Sequence, residues 1–215
     1  MVNKGELTRR NIIDKSIQLF SARGYFNTSV ADIVAACGLS KGGLYGHFRS
    51  KEDLWYAAYD ECVRIWKGIV LKGVKDIPDP LERVRKVVEN SMRDYLGAEI
   101  FDGGCFLSNS LVELSRRSTA MSDHILQGFQ GFAKLIHSWL EEAESNGALM
   151  EGLDLDATAN FIVISLIGAG PMYKSSRNPA VWRHTISQLS LYLSLLQERA
   201  QIHGSNAERP HSVSR

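Results

Sequence analysis

The chain has 215 residues, of which 44% are hydrophobic and 23% charged, the balance of a folded protein that can bury a core. Its net charge of +1 is too small to indicate a polyanionic partner by itself. The three cysteines, odd in number and without metal-type spacing, exclude a disulfide framework and a cysteine-bound metal as expectations. The N-terminus is polar, and the longest apolar run, 161–172, is only about a dozen residues long. We therefore expect no signal peptide, no membrane span and a cytoplasmic location.

Apolar residues recur at helical spacing along almost the whole chain, so the sequence predicts an all-α fold of about nine helices. The first helix is predicted from Thr8 to Arg23 and ends at Gly24. Ser29 caps the second, which closes at Gly38, and Ser40 caps a short third helix. A helix, a tight turn and a short helix in this order predict a helix-turn-helix unit.

The rest of the chain is predicted as six longer helices. One runs from Ser50 to about Gly73, and Asp79-Pro80 begins the next with an N-cap and a proline at the first helical position. The remaining helices are predicted at 105–117, 121–146, 157–172 and 179–203. The sequence thus predicts a three-helix N-terminal unit at 1–52, a helical region at 53–203 and a disordered tail at 204–215 that is poor in apolar residues.

Charge is distributed unevenly between these parts. Residues 1–55 carry eight Lys or Arg against five Asp or Glu, a net +3, which leaves −2 for the remainder. The third helix can turn Leu44 and Phe48 inward, and its free face then combines positive charge with a phenol and an imidazole: Lys41, Tyr45, His47 and, just beyond it, Lys51. Such a face suits phosphates and base edges, although a solvated helical face is the alternative, and His47 could instead be structural.

The stretch from Arg9 to Leu54 resembles the TetR family of transcriptional regulators, most specifically in LYGHFRSKEDL at 44–54. Around GCFLSNSLVELS at 104–115 the chain is similar to a large branch of that family, the AcrR/NemR-like branch. The resemblance implies a homodimer with a DNA-binding domain at 1–52 and a ligand-binding and dimerisation domain at 53–203. It also implies a double-stranded DNA operator as partner, a small-molecule effector and no cofactor.

Matching the family's motif position by position, the resemblance assigns DNA contacts to eight residues: Thr28, Ser29, Lys41, Gly42, Gly43, Tyr45, His47 and Lys51. The chain departs from the family at Gly43 and Gly46, where side chains are common. Each glycine weakens the short helix by roughly 1 kcal/mol relative to alanine. Both also remove a possible base contact, which shifts the expected readout toward Lys41, Tyr45 and DNA shape.

Candidates for the effector pocket are aromatic residues of the middle helices together with nearby polar groups: Trp66, Tyr95, Phe106, Asn109, Glu113, Phe129, Phe132 and His137. Core packing explains most aromatic residues in such helices, and the polarity of the effector stays open. Cys105 is a separate candidate, because the first turn of a helix favours a thiolate and some members of the branch sense electrophiles or oxidants with a cysteine nearby. The alternative is an unreactive buried cysteine.

The last two predicted helices carry the dimerisation hypothesis. In the final helix, apolar residues step by four, three, four and three positions, as in a helix-pairing seam: Trp182, Ile186, Leu189, Leu193 and Leu196. The preceding helix offers Phe161, Ile164 and Gly168. Two helices from each chain would form a four-helix interface, unless the seam faces the chain's own core.

The sequence therefore predicts a transcriptional repressor that a small-molecule effector releases from a palindromic operator, by tilting the long helix that starts at Lys51. Three alternatives stay open: a repressor that senses electrophiles through Cys105, a DNA-binding protein without an effector, and an all-helical enzyme. Against the enzyme, the sequence lacks a phosphate-binding glycine loop in strand-to-helix context and both His-x-x-x-His and Cys-x-x-Cys spacing.

Overall fold

The computed structural model describes residues 3–101 and 104–206, with side chains described through 197. Within these residues all regular structure is helical, which confirms the all-α prediction. The α-helices are α1 (Lys4–Arg23), α2 (Val30–Cys37), α3 (Lys41–Tyr45), α4 (Lys51–Val70), α5 (Pro80–Glu89), α6 (Phe106–Leu114), α7 (Thr119–Ser145), α8 (Leu155–Ser176) and α9 (Ala180–Asn206). A single 3₁₀ turn, Val74–Asp76, lies between α4 and α5.

Side-chain caps explain where the N-terminal helices begin. Helix α1 starts four residues earlier than predicted, because Asn3 and Glu6 form a reciprocal capping box ahead of it. Ser29 with Asp32 forms a second box at α2, and Ser40 and Ser50 each accept a backbone amide at the start of α3 and α4. These starts follow the sequence signals closely.

Helix α5 changes its winding before it ends. Asp79 caps it and Pro80 occupies its first position, as the sequence predicts. From Asn90 to Leu96 the helix continues as a π-helix, which closes when the Gly97 amide donates to the Met92 carbonyl at 2.9 Å. Such wide turns are rare and frequently occur at functional sites.

The buried side chains form two cores. The C-terminal core lies among α5, α7, α8 and α9, whereas the N-terminal core joins α1–α4 to α6 and the start of α7. Phe106, Leu114 and Ile125 belong to this second core although they follow residue 52. The N-terminal unit is therefore packed directly on the C-terminal helices rather than tethered to them.

The last two helices differ from the sequence expectation. Helix α8 continues through Pro171 to Ser176, so it is long and apolar enough by length and composition to cross a membrane, but it packs against α7 and α9. In α9, Leu189, Leu193 and Leu196 are buried in the chain's own core, which corrects the proposed dimer seam. They point inward because α9 covers α5 and α8. Helix α9 runs to Asn206, so residues 204–206 of the predicted disordered tail are helical instead, and its remainder, 207–215, lies outside the described residues.

Candidate nucleic-acid interface and effector cavity

The turn between α2 and α3 fixes the position of α3. Gly38 adopts a left-handed conformation at φ +65°, which a helix C-cap favours, and the Leu39 amide donates to the Val34 carbonyl. Beyond the turn, the buried side chains of Leu44 and Phe48 anchor α3 to the N-terminal core, as predicted. A helix of five residues cannot persist alone in water, so this packing is what holds α3 in place.

Half of the eight predicted DNA contacts are exposed. Ser29, Lys41 and Gly42 are exposed, and the Tyr45 side chain is 50% exposed although it is aromatic. Gly43 and His47 are half-buried. Arg49, which is not among the eight predicted contacts, is also exposed. Its charge and its position next to the motif are the signals that could have found it.

Two predicted contacts are engaged inside the protein. Thr28 is 0% exposed, and its hydroxyl donates to the Gly24 carbonyl at 2.7 Å. Lys51 donates from Nζ to the carbonyls of Tyr25 and Thr28 at 2.9 and 3.0 Å, and its ammonium lies 4.1 Å from the centroid of the Tyr25 ring. Burial lowers the pKa of this ammonium. Both residues thus shape the loop between α1 and α2 (residues 24–29, hereafter the α1–α2 loop).

We expect Lys51→Met to lower the stability of the fold and to leave the electrostatic attraction to DNA phosphates almost unchanged. The variant keeps the aliphatic stem but leaves two carbonyls without their donor, so the free energy of unfolding should fall by about 1–2 kcal/mol. Urea unfolding measures this loss. The salt dependence of DNA binding should keep its slope, since the ammonium is already used internally. A slope reduced by about one would show instead that Lys51 contacts a phosphate.

Glu113, predicted to line the pocket, lies at the opposite side of α6 from the cavities. Its carboxylate accepts the backbone amides of Tyr25 and Phe26 at 2.8 and 2.9 Å, which draws it onto the α1–α2 loop. Arg117, just after α6, places its guanidinium 4.0 Å from the centroid of the Phe26 ring. The end of α6 and the start of α4 therefore clamp the same loop from two sides.

Gly24 makes this close approach possible. Its φ is +83°, and a Cβ at this position would lie 2.5 Å from a Glu113 carboxylate oxygen. Only glycine combines this backbone conformation with the required space. The sequence predicts only that Gly24 ends α1, because the contact with Glu113 spans almost ninety residues of sequence.

A cavity of about 470 Å³ lies between α4 and α7 and is called here the outer cavity. Its walls are largely apolar, with the exposed Lys67 and Gln127 at its rim. A second cavity of about 50 Å³, called here the inner chamber, lies among the π-helical end of α5, Trp66 of α4, and helices α6, α7 and α8. The two share four wall residues: Trp66, Leu107, Phe129 and Phe132. They form adjoining spaces of the kind that a small apolar ligand fills.

The predicted pocket residues divide into two groups. Trp66, Phe129 and Phe132 line both cavities, and Tyr95 lines the inner chamber. The other four are not among the lining residues. Phe106 is fully buried against Trp55 at a ring-centroid distance of 6.1 Å, Asn109 is half-buried on α6, and Glu113 holds the α1–α2 loop. The nitrogens of His137 lie 3.4 and 3.5 Å from carboxylate oxygens of Glu141 and Asp156.

Cys105 stands at the N-cap of α6 and lines the inner chamber. Its sulfur accepts a hydrogen bond from the Tyr95 hydroxyl at 3.6 Å, and it packs against both cores. This is the environment of a packed cysteine, and it does not favour the alternative of a cysteine sensor.

An apolar surface runs along the outer sides of α8 and α9. We call it the α8–α9 face, and its large exposed members are Phe161, Ile164, Met172, Leu191 and Leu195. Phe161 packs edge-on against Tyr192 at 5.3 Å, which joins the two helices. Of the predicted dimer residues, Phe161, Ile164 and Gly168 are exposed on this face, whereas Trp182 and Ile186 are half-buried against the chain's own core.

Family models match both parts of this architecture. The model of bacterial regulatory proteins of the tetR family matches residues 12–58, and that of the tetracyclin repressor-like C-terminal domain matches residues 80–189. The chain belongs to the TetR family. This is a family of regulators rather than of enzymes, and it makes the chain a DNA-binding transcriptional regulator.

Individual TetR-family proteins agree with this assignment. The HTH-type transcriptional repressor DhaR of Mycobacterium sp. (strain GP1) is 30% identical over 173 residues, which cover 79% of this chain and 84% of that protein. A TetR-family regulator from Cytophaga hutchinsonii has the same fold, with a TM-score of 0.81, 22% identity and coverage of 92% of this chain and 98% of that one. AibR, solved with isovaleryl coenzyme A and operator DNA, matches with a TM-score of 0.66 at 22% identity, over 85% of this chain and 97% of its own.

Proposed function

We propose that this repressor reads a palindromic operator as a homodimer and that an effector in the outer cavity and inner chamber lowers its affinity for DNA. The observation that carries the proposal is α6. Leu107, near its start, lines both cavities, and Glu113, near its end, accepts two amides of the α1–α2 loop. One short helix thus connects the effector space with the DNA-binding unit.

The exposed face formed by Ser29, Lys41 and Tyr45 is the proposed DNA contact. Ser29 lies at the N-terminus of α2, where backbone amides favour a phosphate, and the exposed Lys41 is the first residue of α3. The Ser29 hydroxyl also lowers the pKa of the Asp32 carboxyl, so the Asp32 side chain of the capping box is ionised at the pH at which the protein binds DNA. We expect Lys41 and Tyr45 to carry most of the readout, since Gly42 and Gly43 offer no side chain.

Lys41→Ala tests this contact. We expect it to weaken binding to the palindromic DNA upstream of the gene and to lower the slope of log K against log salt by about one per protomer. Fluorescence anisotropy at several salt concentrations measures both quantities. Lys134→Ala is the matched control, because Lys134 is an exposed lysine on α7, away from α3. Equal affinity and slope for the two variants would contradict the assignment.

In this proposal the effector signal reaches the DNA-binding unit through α6, and not only through a tilt of α4. An effector that enters the inner chamber must move against Leu107 or Ser108 on α6, and any shift of this helix displaces the Glu113 carboxylate from the loop amides. The loop precedes α2 directly, so its release changes the orientation of the helix-turn-helix unit. Helix α4 contributes through Trp66, which lines both cavities.

Assembly completes the proposal. Two copies that join through the α8–α9 face would bury large apolar side chains that a monomer leaves in water. A two-fold symmetric dimer requires a palindromic operator with half-sites about one helical turn apart. The protein would act in the cytoplasm, where the DNA is. AibR, which has the same fold, was crystallised with both isovaleryl coenzyme A and operator DNA. The proposal requires that the present chain likewise binds both DNA and a small molecule.

A further inference from the structure

The inner chamber contains a buried hydroxyl group without a partner. Ser91 is 5% exposed, lines the chamber, and its Oγ has no hydrogen-bond partner among the described residues. A buried hydroxyl in this state carries a desolvation cost that a hydrogen-bonding occupant of the chamber would remove. Ser91 also lies in the π-helical segment Asn90–Leu96, which turns Met92, Tyr95 and Leu96 toward the same space.

The remaining polar groups of the chamber are neutral. Of the described residues, those that line it carry hydroxyl, thiol or apolar side chains and none with a formal charge. Burial raises the pKa of Tyr95 well above its usual value, so its phenol stays protonated. The Ser108 hydroxyl donates to the Cys105 carbonyl at 3.3 Å. No described residue that lines the chamber offers an opposite charge to an ionised group, since Glu99, Lys174 and Arg177 line a separate cavity of about 20 Å³ that shares only Tyr95, Leu96 and Cys105 with the chamber.

The outer cavity supplies the complementary half of a binding site. It shares the partition formed by Trp66, Leu107, Phe129 and Phe132 with the chamber, and the rings of Trp66 and Phe132 meet edge-on at 4.7 Å. Its apolar walls suit a hydrocarbon body, which has no need of polar partners. Lys67 stands only at the exposed rim, so a charge attracted to it would remain outside the chamber.

We propose that the effector is a neutral amphiphile whose apolar body lies in the outer cavity and whose carbonyl, amide or hydroxyl oxygen accepts a hydrogen bond from Ser91 in the inner chamber. This inference rests on the proposed function, in which these cavities hold the effector. The neutral lining of the chamber would disfavour anionic amphiphiles of the same shape. The occupant lies against the Trp66 ring, so binding changes tryptophan fluorescence.

Octanamide and octanoate test the inference, because they have the same length and similar shape but differ in charge. Thermal shift and tryptophan fluorescence of the full-length protein measure binding, and anisotropy of upstream DNA measures release. We expect octanamide to bind at least about tenfold more tightly than octanoate. Ser91→Ala should lower the affinity for octanamide about fivefold, the value of one hydrogen bond, while raising the melting temperature of the unliganded protein.

Ser122→Ala is the matched control, since Ser122 is a buried serine that already donates to the Thr119 carbonyl and does not line the chamber. It should leave octanamide affinity unchanged. Octanoate binding as tightly as octanamide, no binding of either compound, or equal effects of Ser91→Ala and Ser122→Ala would each overturn the inference. Octanamide that binds through Ser91 without releasing DNA would refute effector release but support the chamber's preference. Octanoate that binds and releases DNA would refute the chamber's preference for a neutral ligand but support effector release.

Discussion

Replacing Glu113 with alanine is expected to loosen the DNA-binding unit and to lower the free energy of unfolding by about 1–3 kcal/mol, the range for hydrogen bonds to a charged acceptor whose donors can partly rehydrate. The carboxylate accepts both the Tyr25 and Phe26 amides, and its removal leaves them without a protein acceptor. Glu113→Gln should lose less, because its side chain keeps one acceptor oxygen for one of the two backbone amides.

The functional consequence of this substitution follows from the position of α6. If Glu113 fixes the orientation of the α1–α2 loop, its loss should lower operator affinity about tenfold, within the usual range of coupling free energies between sites. Hydrogen exchange supplies the local readout, since the amides of Tyr25 and Phe26 should exchange faster in the variant. Anisotropy with upstream DNA supplies the functional readout.

Glu142→Ala is the control for Glu113. Glu142 also joins two helices, through a 2.6 Å contact with Arg83. It connects α7 to α5 rather than to the α1–α2 loop. It should change neither operator affinity nor exchange at Tyr25 and Phe26. Unaltered operator affinity in both Glu113 variants would refute transmission through this carboxylate and return the mechanism to a movement of α4 alone.

Local signals made the helix-turn-helix unit predictable. Caps such as Ser29 and Ser40 act within one turn of the helix they start, and the left-handed Gly38 acts within the turn that it forms, so the sequence contains their full physical cause. The same holds for Leu44 in α3 and for Phe48 just after it, whose four-residue spacing turns both side chains inward. Reading these elements needed no knowledge of distant parts of the chain.

Residues whose role depends on distant partners were not predictable in this way. Lys51 appeared free to hold a phosphate, but the carbonyls that occupy it belong to residues more than twenty positions earlier. Glu113 appeared to be a pocket residue because α6 was expected near the ligand, and the sequence does not show which side of α6 meets Gly24. Ser91 gave no signal, since its unpaired state arises from the packing of five helices around one chamber.

The α9 leucines show the same limit in the dimer prediction. A four-three repeat predicts that one side of a helix is covered, but not by which partner. In the structure Leu189 and Leu193 are covered by the chain itself, and the side of α9 left free is the one with Leu191 and Leu195. Together with Ile164 on α8, these two exposed leucines define a proposed dimer contact. It is rotated around α9 by part of a helical turn from the predicted seam.

Ile164→Asp is therefore expected to convert the protein from a dimer to a monomer. Ile164 is 66% exposed in the single chain and lies on the α8–α9 face with Phe161 and Gly168. In a two-fold interface each copy would bring an aspartate into an apolar contact, and two unpaired carboxylates cannot be buried there at an acceptable cost. Light scattering coupled to gel filtration measures the mass directly.

Loss of the dimer should also reduce operator affinity by about two orders of magnitude or more, since the second half-site then no longer binds at a high effective concentration. Circular dichroism should show unchanged helicity, because Ile164 contributes little to the chain's own core. Val112→Asp is the control for mass, as Val112 is 72% exposed on α6, outside the α8–α9 face. An Ile164→Asp protein that remains dimeric would place the interface elsewhere, and a monomeric wild-type protein would contradict two-fold reading of the operator.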